Sequence, residues 1–255
     1  MTTIIDLSKS IRYNPGDPWF MRIKVKHKPH RKGGLLVRLL GLPSRLFPPG
    51  FKGWADDTIK NMGVHSTTHV DAPWHYGPKT GGQPARTIDR IPLEWFFGDG
   101  VVINMSHKED FDPITSRDLE KAVSETGSVI SRGTIVLIRT DRDKLGGTPD
   151  YFKRGTGMSA EATMWLIDKG VRVMGIDQWG WDMPLPWQIA QAKKKKDPEL
   201  FWQAHRVGTK TEYLHIEQLI NLKSLPPHGF KVAAFPLKVT GGSAGPARVA
   251  AIIED

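Results

Sequence analysis

Between Gly100 and Asp177 the chain alternates strand-like and helix-like segments, and this alternation constrains the fold more than any other feature. Gly100-Val101-Val102-Ile103-Asn104-Met105 is rich in β-branched residues and bounded by glycine and a polar end, the pattern of a strand. Ser116–Glu125 has Leu119, Ala122 and Val123 on one side and is stopped by Gly127, which predicts a helix. Gly133-Thr134-Ile135-Val136-Leu137-Ile138-Arg139-Thr140 predicts a fully buried strand. Ser159–Lys169 predicts a helix, with Ser159 as N-cap and Gly170 ending it, and Val171–Asp177 predicts a further strand. Strand, helix and strand in succession specify an α/β protein rather than an all-α or all-β one.

The flanks are less regular. Ile4–Ser8 reads as a short strand ending in a polar turn, Phe230–Val239 as a late strand and Arg248–Ile253 as another. Residues 12–63 carry six prolines and many glycines, predicting an irregular arm or lid with a short helix near Leu35–Leu40. Trp19, Phe20, Leu39, Leu40, Phe47 and Phe51 lie in it and need apolar surroundings. Residues 183–204, with Pro184, Pro186 and the Lys193–Lys196 run, read as looser chain. No repeat and no linker is visible, so the expectation is a single domain over residues 1–255.

The chemistry concentrates in His65-Ser66-Thr67-Thr68-His69-Val70-Asp71-Ala72-Pro73-Trp74-His75. Imidazole nitrogen and carboxylate oxygen are the donors that borderline divalent ions such as zinc take. Pro73 forbids one helix running through Asp71. The stretch therefore reads as a turn leading into an extended segment, in which Asp71, Pro73 and His75 would share a face. One ion held by His65, His69 and Asp71, with His75 beside it, is the expected geometry. In that extended segment Trp74 is placed to touch a substrate. Trp179 and Trp181, just after a strand, read either as core packing or as walls of an aromatic pocket. His215 stands two residues before Glu217; on a helix the two would point apart, so His215 is not included.

Composition excludes several classes. Hydrophobic residues make up 39% and charged residues 25%, the usage of an ordinary soluble globular chain. There is no cysteine, hence no disulfide framework, no thiolate nucleophile and no cysteine metal site, and a reducing cytoplasm is the expected compartment. Neither a membrane span nor a secretory signal is legible. The net charge of +9 is partly local, in Lys24–Lys32 and Lys193–Lys196, and neither run is interleaved with aromatic residues. Solvated faces are expected, not a nucleic-acid surface.

The pattern His65-x-x-Thr68-His69-x-Asp71-x-Pro73-x-His75 resembles the signature of the cyclase-like metal-dependent hydrolases, a family that includes bacterial kynurenine formamidase and isatin hydrolase. Asp6-Leu7-Ser8, Ile135–Thr140, Pro236-Leu237-Lys238-Val239-x-Gly241-Gly242 and Ala247-Arg248-Val249 extend the likeness over nearly the whole chain. One departure is Thr67, where the family usually has glycine. The resemblance implies an α/β domain around a partly closed mixed β-structure with flanking helices, assembled as a homodimer or homotetramer. It also implies one or two ions of zinc or manganese. His65, His69 and Asp71 would be ligands, Asp71 bridging to a second position completed by His205 and Glu217, and His75 would be the acid-base residue.

Such a site activates water, so the expected function is hydrolysis of a small amide, cyclic amide, lactone or aryl formamide. A cyclase or dehydratase on the same metal site, and a metal-binding protein without turnover, are the alternatives. Serine chemistry is the weaker rival of this reading.

Overall fold

The computed structural model describes residues 1–254. Nine strands form one mixed sheet: β1 (Thr2–Asp6), β2 (His69–Asp71), β3 (Phe97–Asn104), β4 (Ile135–Arg139), β5 (Val173–Ile176), β6 (Leu214–Glu217), β7 (Phe230–Ala233), β8 (Ala244–Pro246) and β9 (Ala250–Glu254). Their order is β1-β9-β7-β3-β4-β5-β6-β2-β8. The centre, β3 to β6, is parallel. Antiparallel strands extend it on both sides, and the sheet curls into a half-barrel with six helices: α1 (His30–Leu39), α2 (Pro73–Tyr76), α3 (Ser116–Thr126), α4 (Asp150–Lys153), α5 (Ala160–Asp168) and α6 (Leu185–Lys195). The α/β architecture expected from the central alternation is the one observed.

Strand alternation divides the interior in two. Ile135, Leu137, Val173, Leu214 and Ile216 pack with Leu7, Val70 and Val232 on one face. Val136, Ile138, Met174 and Ile176 face the other way, against Leu119 of α3 and Ala162 and Leu166 of α5. The parallel strands are thus covered on both faces, which is why they read as unbroken apolar runs. The predicted stop of α3 at Gly127 is present, in the left-handed region at φ 63°, and a capping box of Thr115 and Asp118 that was not predicted starts the helix; at α5 the predicted cap Ser159 accepts from Ala162 N at 3.1 Å through its Oγ.

Four local expectations need correction. Residues 183–204 are not loose, because they contain α6. Pro186 falls in its first turn, where a missing N–H costs no hydrogen bond, and Lys193, Lys194 and Lys195 sit in the last turn against the negative end of the helix dipole. The segment from Pro73 to His75 is helical, not extended: Pro73 occupies the first turn of α2, so it starts a helix as well as barring one from Asp71. The segment holding His215 and Glu217 is strand, not helix.

The arm at residues 12–63 is also more regular than its prolines predict. Lys24–Lys28 pairs antiparallel with Asp56–Lys60, and α1 lies between the two strands. Gly33 and Gly34 fit inside α1 because the chain at Lys52–Trp54 crosses it closely; a Cβ on Gly33 would sit 2.1 Å from Trp54 O. Among the described residues no helix is long and apolar enough to cross a membrane.

Candidate metal centre

The register between β2 and β6 builds the site. These strands are antiparallel, with Val70 opposite Ile216 and His69 opposite Glu217. Alternation then puts His69 and Asp71 of β2 on the same face as His215 and Glu217 of β6, while Val70, Ala72, Leu214 and Ile216 enter the apolar core behind. His65 arrives from the loop before β2, His75 from α2, and His205 from a short 3₁₀ turn, His205–Thr209.

Gln218 splices these pieces together from a left-handed backbone position, φ 61°. Its Nε2 donates to His65 O at 3.0 Å, its carbonyl accepts from Thr68 Oγ1 at 2.6 Å, and its Oε1 accepts from Lys9 Nζ at 2.7 Å. Thr67, the departure noted above, does not have a positive φ, so its Cβ is accommodated without left-handed strain. Its carbonyl has a specific task, accepting from His69 Nδ1 at 2.7 Å.

Three histidines are oriented in the same way. His69 Nδ1 is held by that carbonyl, His205 Nδ1 by Asp182 Oδ2, and His215 Nδ1 by Tyr76 Oη at 3.2 Å. Each therefore aims Nε2 at the carboxylates. His69 Nε2 lies 3.0 Å from Asp71 Oδ1 and 3.7 Å from Glu217 Oε2. His205 Nε2 lies 3.7 Å from Asp71 Oδ2, and His215 Nε2 lies 3.0 Å from that same oxygen. His65 uses its other nitrogen, Nδ1, 2.9 Å from Asp71 Oδ1, and His75 Nε2 stands 3.6 Å from Oδ2.

The two oxygens of Asp71, His69 Nε2 and His215 Nε2 are buried and make no hydrogen bond. With Nδ1–H committed to Thr67 O, a neutral His69 presents a bare lone pair to a carboxylate oxygen. Only a proton or a cation between such groups makes the arrangement favourable. Nitrogen and carboxylate donors oriented from behind are what a divalent ion requires, so the residues fit that group.

The electrostatics agree. Burial opposes ionisation of Asp71, but His75, His65 and His69 hold its carboxyl well below the usual range. Burial and the neighbouring Asp71 charge also oppose ionisation of Glu217, and the combined attraction of His215 and His205 outweighs them and lowers its carboxyl below the ordinary value. Burial pulls His205 down, yet Asp182 lifts it to about 10; burial pushes His75 down to about 4. The two buried carboxylates are thus held ionised by the histidines packed around them.

A cavity of about 420 Å³ opens onto this cluster. His65, His75, His205 and Glu217 reach it, with Trp179, Phe152, Trp202 and Met183 forming apolar walls and Phe20 and Met21 contributed by the arm. Trp179 packs edge-on against Phe152, with ring centroids 4.6 Å apart. Trp181 also borders the cavity but is fully buried, its ring stacked on His215, its indole N–H donating to Thr163 Oγ1 at 3.1 Å and its backbone N–H donating to Glu217 Oε1 at 2.8 Å. Trp74 does not reach the cavity; α2 turns its ring outward, leaving it 45% exposed.

All six predicted metal-site and acid-base residues (His65, His69, Asp71, His75, His205 and Glu217) come together here. Two residues that sequence reasoning left out join them: His215, and Asp182 behind His205. For His215 the signal was present as the period-two pattern Leu214-His215-Ile216-Glu217.

Known proteins resemble this chain throughout. The family described as "Putative cyclase" matches residues 5–183. The isatin hydrolase of Roseibium aggregatum is 28% identical over 201 residues, 75% of this chain and 73% of that protein. The kynurenine formamidase of Salinibacter ruber is 28% identical over 208 residues, 78% of this chain and 82% of that one. The solved structure of isatin hydrolase A from Ralstonia solanacearum superposes with a TM-score of 0.74 at 25% identity, covering 99% of this chain and 92% of that one.

Two outcomes follow from this geometry. Because His205 is protonated at neutral pH, a divalent ion binding at its Nε2 displaces a proton. Apparent affinity rises with pH between 6 and 8, by about tenfold per unit for each proton displaced. Calorimetric titration in buffers of different ionisation enthalpy reads the release, and its absence removes His205 from the ion. Asp182→Asn turns the His205 ring to the wrong tautomer and weakens metal binding by roughly 10–100-fold, measured by competition with a chelator.

Proposed function

The chain belongs to the cyclase family, and on that premise we propose that it is a metal-dependent hydrolase acting on a small amide, cyclic amide or aryl formamide. The observation that carries this reading is the convergence of oriented imidazole nitrogens on two buried carboxylates at the floor of an aromatic cavity. His65, His69, Asp71, His205 and Glu217 would hold one or two ions, with Asp71 facing both halves through its two oxygens. Zinc suits a donor set this rich in imidazole, and manganese is the alternative. A divalent ion supplies a Lewis acid and brings the pKa of a water from about 15.7 to about 7.

The chain's own residues do the rest. Trp179, Phe152 and Trp202 offer flat apolar walls that exclude water and orient a planar substrate, and a cavity of about 420 Å³ suits one or two fused rings. This is the substrate class for which the relatives isatin hydrolase and kynurenine formamidase are named. His75 stands at the cavity edge, kept neutral at pH 7 by burial. It therefore enters as a base, takes the proton of the attacking water and returns it to the departing nitrogen. A cytoplasmic location fits a chain without cysteine.

The arm supports a further part of the reading, assembly as a homodimer or homotetramer. Leu35, Leu36, Leu39 and Leu40 on and beside α1 are exposed, Leu39 by 77% and Leu40 by 73%. Adjacent leucines left in water mark a surface that a second copy would cover.

Purified enzyme stripped with chelator and reloaded with zinc or manganese should hydrolyse isatin or an aryl formamide only when loaded. His75→Ala should keep its metal while its rate falls by roughly 10²–10⁴-fold. His69→Ala should lose metal and activity together. Equal metal loss in both variants makes His75 a ligand. Sedimentation should show a dimer or tetramer that the double change Leu39→Asp and Leu40→Asp dissociates; a monomeric wild type disposes of the assembly.

A further inference from the structure

Four donors of the cluster meet a condition of spacing that bears on how the site works. His215 Nε2 lies 3.0 Å from Asp71 Oδ2 and 3.2 Å from Glu217 Oε1. His205 Nε2 lies 3.7 Å and 3.6 Å from the same two oxygens. An ion bonded tetrahedrally at about 2.0–2.1 Å to nitrogen and oxygen spaces its donors about 3.3–3.4 Å apart. The four distances bracket that value on all the edges joining nitrogen to oxygen.

The orientation of the rings supports the same arrangement. Tyr76 Oη on His215 Nδ1 and Asp182 on His205 Nδ1 leave both Nε2 atoms directed at the gap between the carboxylates. Tyr76 is itself fixed, stacked on Tyr213 at 4.9 Å and wedged against Gly208, where a Cβ would meet its ring at 2.0 Å. All four donor residues are buried, and His215 Nε2 has no other partner.

We propose that His205, His215, Glu217 and Asp71 Oδ2 form a complete four-donor metal position, in which His215 occupies the place a water would take at an open hydrolytic site. With His205, Glu217 and Asp71 alone, this position would have three protein donors and a vacancy, the arrangement of catalytic zinc sites. With His215 it has none. The position then anchors Asp71 and holds positive charge beneath the cavity. The vacancy for water and substrate lies on the other side of Asp71, beside His65 and His75, whose side chains are 25% and 23% exposed. This assignment rests on the metal-dependent reading above and deepens it.

The test uses the full chain loaded with zinc, competed against a chelator for affinity, and with cobalt for its absorption spectrum. His215→Ala keeps three donors and opens a vacancy, so it should hold this metal roughly 10–100-fold more weakly than wild type. The wild-type cobalt spectrum should contain a component that azide does not perturb, and the variant should lack it. Unchanged affinity at both positions in the variant, or a wild-type spectrum in which azide shifts every cobalt band, overturns the proposal. If His215→Ala does not fold, Tyr76→Phe keeps the imidazole and removes only its orienting hydroxyl. It should weaken the azide-insensitive position by roughly 10–100-fold, and unaltered affinity overturns the proposal equally. Hydrolysis is scored separately on the same samples, so its absence counts against the hydrolase reading and not against the donor count.

Discussion

The structure depends on one buried carboxylate. Asp71 is fully buried in a three-residue strand, and neither of its oxygens has a hydrogen-bond donor. An isolated carboxylate in such a place would be strongly destabilising. It is tolerable here because histidines surround it, Oδ1 facing His65 and His69 and Oδ2 facing His75, His205 and His215. The surrounding architecture serves that arrangement: β6 pairs with β2 to bring up His215 and Glu217, and Gln218 ties the His65 loop to the end of β6. The charge balance is therefore a property of the fold and not of a mobile loop.

The supporting contacts fall one layer further out. Thr67 O, Asp182 and Tyr76 Oη each take the far nitrogen of one histidine. None of the three touches the carboxylates' free oxygens, yet each decides which nitrogen is left bare. Asp182 is anchored in turn by the backbone N–H groups of Ala204 and His205, at 2.8 and 3.0 Å. A site organised this way has little freedom to reorient, which is the preorganisation that metal binding and catalysis both need.

Much of this was legible in the amino-acid order. Central strands such as Ile135–Arg139 announced themselves because burial on both faces leaves an unbroken apolar run. The His65–His75 motif was visible because its ligands are local. What was lost turned on period. Leu214-His215-Ile216-Glu217 runs straight into Gln218-Leu219-Ile220, and so short a piece of alternation was outweighed by the apolar residues after it. Once the segment is a strand, His215 and Glu217 share a face, and the long-range pairing with β2 supplies their partners. Trp74 is misplaced for the complementary reason: in the sequence Pro73 reads as a helix breaker, although proline also starts helices. Asp182 could not have been found, since nothing in its neighbourhood foretells that the chain returns to it at His205. The arm's prolines hid a hairpin whose two strands are separated by α1.

That hairpin separates two jobs of the arm. Pairing Lys24–Lys28 with Asp56–Lys60 brings the two sides of the excursion together, so whatever lies between them is attached to the body through a narrow stem. Phe20, Met21 and Gly63, the residues that line the cavity, all lie outside the paired strands. The tip can therefore be lengthened, trimmed or exchanged for another sequence while the wall facing the substrate stays intact. What the molecule recognises in its cavity and what its outer surface meets are mounted on separate parts of one excursion.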